Sequence, residues 1–148
     1  MTDIALSWNG TEADLVIEAG DLLLDEGLET ATVISLFSDR RARADDLLPG
    51  EDGDRRGWPG DAWPDVIGDQ IGSRVWLLGR EKQLAETLRR ARDYGREAMS
   101  WQIEDGIAAS VEVIATAPRR GLLGLSVTIN RRDGGTENHQ FDVLWEAL

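Results

Sequence analysis

Apolar positions alternate at the start of the chain. Ile4, Leu6 and Trp8 share one face of a predicted strand, Asn9-Gly10 opens a hairpin turn, and Leu15 and Ile17 place a second short strand after it. Gly20-Asp21 breaks that strand, and Leu22 to Leu24 read as a further extended piece. The period then changes. In GLETATVISLFSDRRAR, Thr30, Val33, Ile34 and Phe37 fall at helical spacing, and Arg40, Arg41 and Arg43 sit where they complement the C-terminal end of a helix dipole. A short helix is expected around GSRVWLLGR, with Ser73 or Asp69 as its cap. The longest helix is expected in QLAETLRRARDYGREAMSWQIED. Leu84, Leu88, Ala91, Tyr94, Ala98 and Trp101 line one face of it, and Arg89, Arg90, Arg92 and Arg96 lie opposite. Gly106 is its stop.

Alternation returns at the end. Val111, Val113 and Ala115 mark one strand, Leu123, Leu125, Val127 and Ile129 a second, and Phe141, Val143 and Trp145 a third. Pro118 and Asp133-Gly134 mark the turns between them. The pattern predicts an α+β fold over residues 1–148 as a single domain. It has an N-terminal β-hairpin, helices that include one long amphipathic helix, and a C-terminal antiparallel three-stranded meander packed against the helices.

Between the two helical regions lies PGEDGDRRGWPGDAWPDVIGDQIGSRVW, Pro49 to Trp76, in a loop expected from about Ala44 to Gln70. Loops of this length inside compact domains are usually functional or disordered. Disordered segments are poor in aromatics, and this one carries Trp58 and Trp63, so an ordered loop is expected.

Composition narrows the chemistry. The chain has 148 residues and a net charge of −12, which opposes binding to nucleic acid or to an anionic membrane surface. It has no cysteine, which excludes disulfides and thiolate chemistry, and one histidine, which excludes His-cluster metal sites and makes a Ser-His-Asp triad a poor fit. His139 lies in a predicted strand and reads as a surface histidine rather than a general base. No apolar run reaches the roughly 18 residues of a membrane span. MTDIALSW has neither the basic region nor the apolar core of a signal peptide.

Three chemistries remain for the loop. Glu51, Asp52, Asp54, Asp61 and Asp65 offer carboxylates for glycoside hydrolysis, but any acidic chain does so and nothing in the pattern marks a buried pair. EDGDRRGW lacks the spacing of an EF-hand Ca²⁺ loop. Arg55, Arg56, Arg74 and Arg80 are phosphate-binding types, but no Walker-type sequence accompanies them, and internal Arg–carboxylate pairing that fixes the loop is the favoured reading. Trp8, Trp76, Trp101 and Trp145 fit core periodicity. Trp58 and Trp63 either pin the loop to its domain or anchor a partner, since Trp and Arg dominate interface hot spots. The last strand, if it stands at a sheet edge, has backbone groups free to accept a neighbour's strand; the polar outer face of Thr136, Asn138, Gln140 and Asp142 equally fits an edge kept soluble.

DIALSWNGTEADLVIEAGDLLLDEGLETATVISLFSDRRA, DGDRRGWPGD, GSRVWLLGREK and the final FDVLWEA, in that order, resemble the Mu-type phage baseplate wedge protein family of contractile-tailed phages and prophages. That family is similar in role to the small lysozyme-like wedge protein of T-even baseplates. In the wider group an arginine-and-glycine loop leads to a Gly-Ser-started helix, a long helix and a terminal sheet. Arg55, Arg56 and Gly57, and then Gly72 and Ser73, stand at the corresponding places, although the group's short arginine motif is not reproduced letter for letter.

The resemblance implies a non-enzymatic structural component of a contractile-tail baseplate. It would be present in several copies, would dock onto larger wedge proteins and the tail hub or tube, and would help start assembly of the sheath proteins. It implies a virion location reached from the host cytoplasm, with no cofactor, metal, nucleic-acid or membrane partner and no catalytic residue. Interface residues expected on this reading are Arg55, Arg56, Trp58, Trp63 and Arg74 of the loop, and Phe141, Val143 and Trp145 of the last strand. The alternatives are a lysozyme-like peptidoglycan hydrolase acting during infection and a soluble adaptor outside any particle.

Overall fold

A computed structural model describes residues 2–148. The N-terminal alternation forms the expected hairpin and two further short ladders. β1 (Asp3–Ile4) pairs with β6 (Leu24–Asp25), β2 (Leu6–Trp8) with β3 (Ala13–Leu15), and β4 (Ile17–Glu18) with β5 (Asp21–Leu22), all antiparallel. At the centre three residues bond in a ring. Ala5 N–H donates to Leu23 O (2.8 Å), Leu23 N–H to Val16 O (2.8 Å), and Val16 N–H to Ala5 O (3.1 Å). Each of the three chain segments therefore satisfies its backbone against two neighbours. This suits pieces too short to form an independent sheet. The Asn9-Gly10 turn closes β2–β3, with Asn9 Oδ1 accepting from Thr11 and Glu12 N–H at 3.0 Å and Gly10 at φ +102°.

Helix α1 spans Glu29–Phe37, so it ends with its last apolar position and does not reach the arginines expected at its C-terminal end. Leu28 at its N-cap offers no side-chain cap. Instead Asp25 Oδ2 accepts Thr30 N–H at 2.7 Å and Glu137 Oε2 accepts Leu28 N–H at 3.0 Å, so one neighbouring and one distant carboxylate satisfy the helix start. The helix ends because Ser38 turns extended (φ −86°, ψ 144°) and the chain pairs with residue 73. Ser73 N–H donates to Ser38 O (2.8 Å), and Arg40 N–H to Ser73 O (2.9 Å). Arg40, Arg41 and Arg43 thus leave the helix and enter the loop. Around GSRVWLLGR the expected helix is a single 3₁₀ turn, Val75–Leu78, with all four residues buried.

Helix α2 spans Ala85–Glu104. Its buried face runs through Thr87, Ala91, Tyr94, Gly95, Ala98, Met99 and Gln102, while Leu84, expected on that face, is 58% exposed. Small residues at 91, 95 and 98 let the helix approach the sheet closely. A Cβ on Gly95 would lie 2.9 Å from Val113 Cγ1. The sheet is β7 (Ala108–Thr116), β8 (Leu122–Arg131) and β9 (Thr136–Leu144), antiparallel in that order. Its central strand supplies Leu123, Leu125, Val127 and Ile129 to a core shared with Leu36, Leu77, Leu78, Met99, Phe141 and Val143. Each such buried side chain contributes about 1.5–3 kcal/mol by leaving water. The N-terminal strands join this body through aromatics. Trp8 stacks on Phe37 (centroids 3.9 Å apart, 8° between planes), Phe37 meets Phe141 edge-on at 5.5 Å, and Trp8 Nε1 donates to Asp142 O at 2.8 Å. No helix among the described residues is long and apolar enough to cross a membrane.

Candidate functional site

From Ser38 to Leu84 the chain has only two 3₁₀ turns, Pro59–Ala62 and Val75–Leu78. Such a segment keeps one shape only if other groups hold it. The main fastening is Arg74, whose side chain is 8% exposed. Its Nε and Nη2 donate to Glu97 Oε1 (3.1 Å) and Oε2 (2.7 Å), its Nη1 donates to both oxygens of Asp46 (2.8 and 3.0 Å), and its plane lies 4.5 Å over the Tyr94 ring. Glu97 also accepts Arg40 Nη1 at 3.1 Å and Arg43 Nη2 at 3.2 Å. Tyr94 and Glu97 are three residues apart on α2, so one helix face presents both the ring and the carboxylate to the loop.

Three guanidiniums and two carboxylates thus tie the loop's two ends to the long helix. Bidentate pairing fixes direction as well as distance. Burial disfavours ionised Glu97 and Asp46, but hydrogen bonds and the adjacent arginines outweigh it, and both carboxyls are held below the ordinary carboxylate range. The same balance raises Arg74 further above its ordinary value.

The middle of the loop is set by backbone geometry. Arg55 O accepts Ala42 N–H at 2.9 Å, and the Arg55 guanidinium donates to Arg43 O. Arg56 sits at φ +50°, a conformation costing a non-glycine residue roughly 1–2 kcal/mol. Asp54 Oδ1 holds its N–H at 2.8 Å, and its guanidinium reaches Asp39 Oδ2 at 2.9 Å while lying 4.5 Å over the Trp76 ring. At Gly72 (φ +90°) a Cβ would stand 2.3 Å from Ser38 O, so only glycine lets the two ends of the loop meet. Trp76 Nε1 donates to Arg40 O at 2.8 Å.

The loop that is held this way presents apolar groups outward. Trp58 is 58% exposed, Trp63 82%, Val66 67% and Ile67 99%. Trp58 folds over its own turn, where a Cβ on Gly60 would overlap the ring. Of the other residues expected at an interface, Arg55 is half-buried and Arg56 is exposed, whereas Arg74, Phe141, Val143 and Trp145 lie inside. Trp145 donates from Nε1 to Leu78 O at 3.1 Å. Trp145, expected in the last strand, instead opens a 3₁₀ turn, Trp145–Ala147, so any contact made by β9 at Phe141 and Val143 runs through its backbone. Trp8 and Trp101, expected in the core, are half-buried at its margin, with Trp101 Nε1 on Ser35 Oγ at 3.0 Å. The carboxylates Glu51, Asp52, Asp54 and Asp65 are exposed, without the apolar burial that makes a carboxyl a general acid. His139 Nε2 contacts Glu137 Oε2 at 3.1 Å.

Asp46 and Glu97 carry the loop's fastening, and neither stands out in the sequence. Both are single acids among 28, and only the fold places them beside Arg74.

The sheet has two edges. β9 is one, but Asp142 O accepts Trp8 Nε1 and Leu144 N–H donates to Gly10 O at 2.9 Å, so the first hairpin covers its C-terminal end. β7 is the other. Among the described residues its backbone bonds to β8 alone, and Arg89, Arg92 and Arg96 of α2 line a cleft beside Glu112 and the exposed Ile114.

Comparison with known proteins gives consistent matches. The family model described as phage protein GP46 matches residues 28–136, from the start of α1 to the start of β9. Mu-like prophage FluMu protein gp46 of Haemophilus influenzae is 41% identical over 145 residues, covering 98% of each chain. Baseplate protein gp46 of Escherichia phage Mu is 41% identical over 148 residues, the full length of both.

Proposed function

The chain belongs to the phage protein GP46 family, and from that premise we propose that it is a structural component of a phage tail baseplate that works by docking, without catalysis. The observation that carries this reading is the loop. It has almost no regular secondary structure, yet a mostly buried arginine–carboxylate network holds it, and it points Trp58, Trp63, Val66 and Ile67 into solvent. Apolar side chains presented on a rigid support are what a tight protein contact requires, because little ordering entropy remains to be lost on binding.

On this reading residues 1–148 act as one wedge-like unit, present in several copies of the assembled particle. Its partners are the larger wedge proteins and the hub or tube, met through the loop, and the sheath proteins, met through strand addition. β7 is the edge better suited to the last role, since its outer backbone groups are free and three arginines flank it. The protein would be made in the host cytoplasm and end in the virion tail.

The test is co-expression with the other baseplate proteins of the same genome, followed by size-exclusion chromatography with light scattering. The wild-type chain should form a stoichiometric complex. Arg55→Ala with Arg56→Ala should weaken it while circular dichroism stays unchanged; full retention of the complex would remove the loop from the docking role. Strand addition predicts that β7 amides become protected from hydrogen exchange in assemblies containing sheath protein, and unchanged exchange would reject it.

A further inference from the structure

Most of the exposed large apolar residues gather on the loop and on the N-terminal strands, where Ile4 is 43% exposed, Leu15 51%, Ile17 69% and Leu24 57%. Between these two elements runs a groove of about 880 Å³. Ile4, Leu15 and Ile34 form one wall, Trp58 and Trp63 the other, and Trp101 of α2 also lines it. Its charged lining is Asp3, Asp61, Asp65 and Asp69, with no lysine or arginine among the described residues. Asp61 uses Oδ1 to accept Ile71 N–H at 3.2 Å, while its Oδ2 is shielded from solvent and has no partner among the described residues. A shielded carboxylate oxygen lacking a donor is a costly feature in a free surface and a useful one where a cation or N–H arrives.

We infer that this groove receives an apolar segment of another baseplate protein that carries lysine or arginine. The inference rests on the baseplate reading above. An apolar floor with a single-sign rim selects such a segment, because the apolar side chains supply contact area and the cations complement four carboxylates. A second copy of this chain is disfavoured by the same electrostatics, since it brings a net charge of −12 to an acidic rim. Val66, Ile67 and Ile17, outside the groove's lining but on the same loop and N-terminal strands, are exposed as well, which favours a polypeptide over a small molecule.

The test uses overlapping 15-residue peptides spanning the other baseplate proteins of the same genome, probed with the full chain in low and high salt. The comparison protein carries Trp63→Ala, Asp65→Asn and Asp69→Asn, three exposed positions whose side chains make no hydrogen bond or ion pair among the described residues, and its circular dichroism should match wild type. Binding should concentrate on peptides that combine apolar and basic residues. It should fall at least tenfold in the triple variant and weaken with added salt. Wild-type binding to no peptide, equal binding by the variant, or preference for acidic peptides would each overturn the groove. A dimer of the isolated chain that Trp63→Ala dissolves would assign the groove to a second copy and overturn it too. Co-purification of the triple variant with full-length baseplate proteins as efficiently as wild type would reject the groove and leave the baseplate reading standing. Failure of the wild type itself to co-purify would remove that reading and, with it, this inference.

Discussion

Replacing Arg74 with Ala should cost about 3 kcal/mol of stability. The side chain makes four N–H···O contacts of 2.7–3.1 Å to two carboxylates whose side chains are 12% and 22% exposed. Removing one partner of a buried ion pair typically costs about 3–5 kcal/mol, most of it from the charge left behind. The lower end applies here because neither carboxylate is stranded. Glu97 keeps Arg40 and Arg43, and Asp46 keeps the Arg43 N–H at 2.7 Å. For a chain of this size about 3 kcal/mol corresponds to a fall in Tm of roughly 6–12 °C. Arg74→Met retains much of the stem volume and should lose nearly as much, whereas Arg74→Lys keeps the charge without the fork and should fall between it and wild type. Differential scanning calorimetry gives the Tm, and hydrogen exchange should show the loss concentrated in residues 44–71. A fall below about 2 °C for both Arg74→Ala and Arg74→Met, with unchanged exchange, would refute the claim that this network holds the loop.

Other perturbations test other joints. Glu97, Asp46 and Asp25 have carboxyls held below their ordinary values, 4.5 for the glutamate and 3.8 for the aspartates. Their contribution is therefore complete above those values and is lost as pH falls through the lower folded-state values, so denaturant midpoints should be flat from pH 7 to 5 and drop below about pH 4. Gly95→Ala should destabilise the protein by about 1–3 kcal/mol despite alanine's better helix propensity, because the new methyl meets Val113; a gain in urea midpoint would show that α2 shifts freely on the sheet. Trp8→Phe retains the stack on Phe37 but removes the bond to Asp142 O, and should cost about 1 kcal/mol by urea titration while exposing the N-terminal strands to faster exchange.

The order of elements was legible because it rests on local periodicity. Alternation placed all three strands of the sheet, and Leu123, Leu125, Val127, Ile129, Phe141 and Val143 are buried as their spacing predicts. The long helix was legible for the same reason, and so was most of its buried face: Ala91, Tyr94 and Ala98 are buried and Leu88 and Trp101 half-buried where the spacing puts them. Leu84 is exposed because it stands at the N-cap in extended conformation (φ −104°, ψ 160°), before the first turn of α2, and so is not carried round onto that face. The apolar period of α1 stops where the helix does, at Phe37, but the arginines after it suit a helix C-terminus equally well, and nothing local signals that residue 38 pairs with residue 73.

By itself, then, the sequence determined the order of the main elements: N-terminal strands, first helix, long loop, long helix and three-stranded sheet. It also excluded thiol and His-cluster chemistry, and through its ordered motifs it pointed to a phage baseplate family. These follow from spacing, composition and extended similarity, which need no knowledge of what lies opposite what. The tertiary structure decided that Glu97 and Asp46 receive Arg74, that Trp63 faces water while Trp76 does not, that β9 is partly covered at its outer edge, and that four aspartates rim one groove. Those outcomes depend on groups tens of residues apart meeting at hydrogen-bond distance. A pairing of that kind is set by the packing of helix on sheet and leaves no period in the chain.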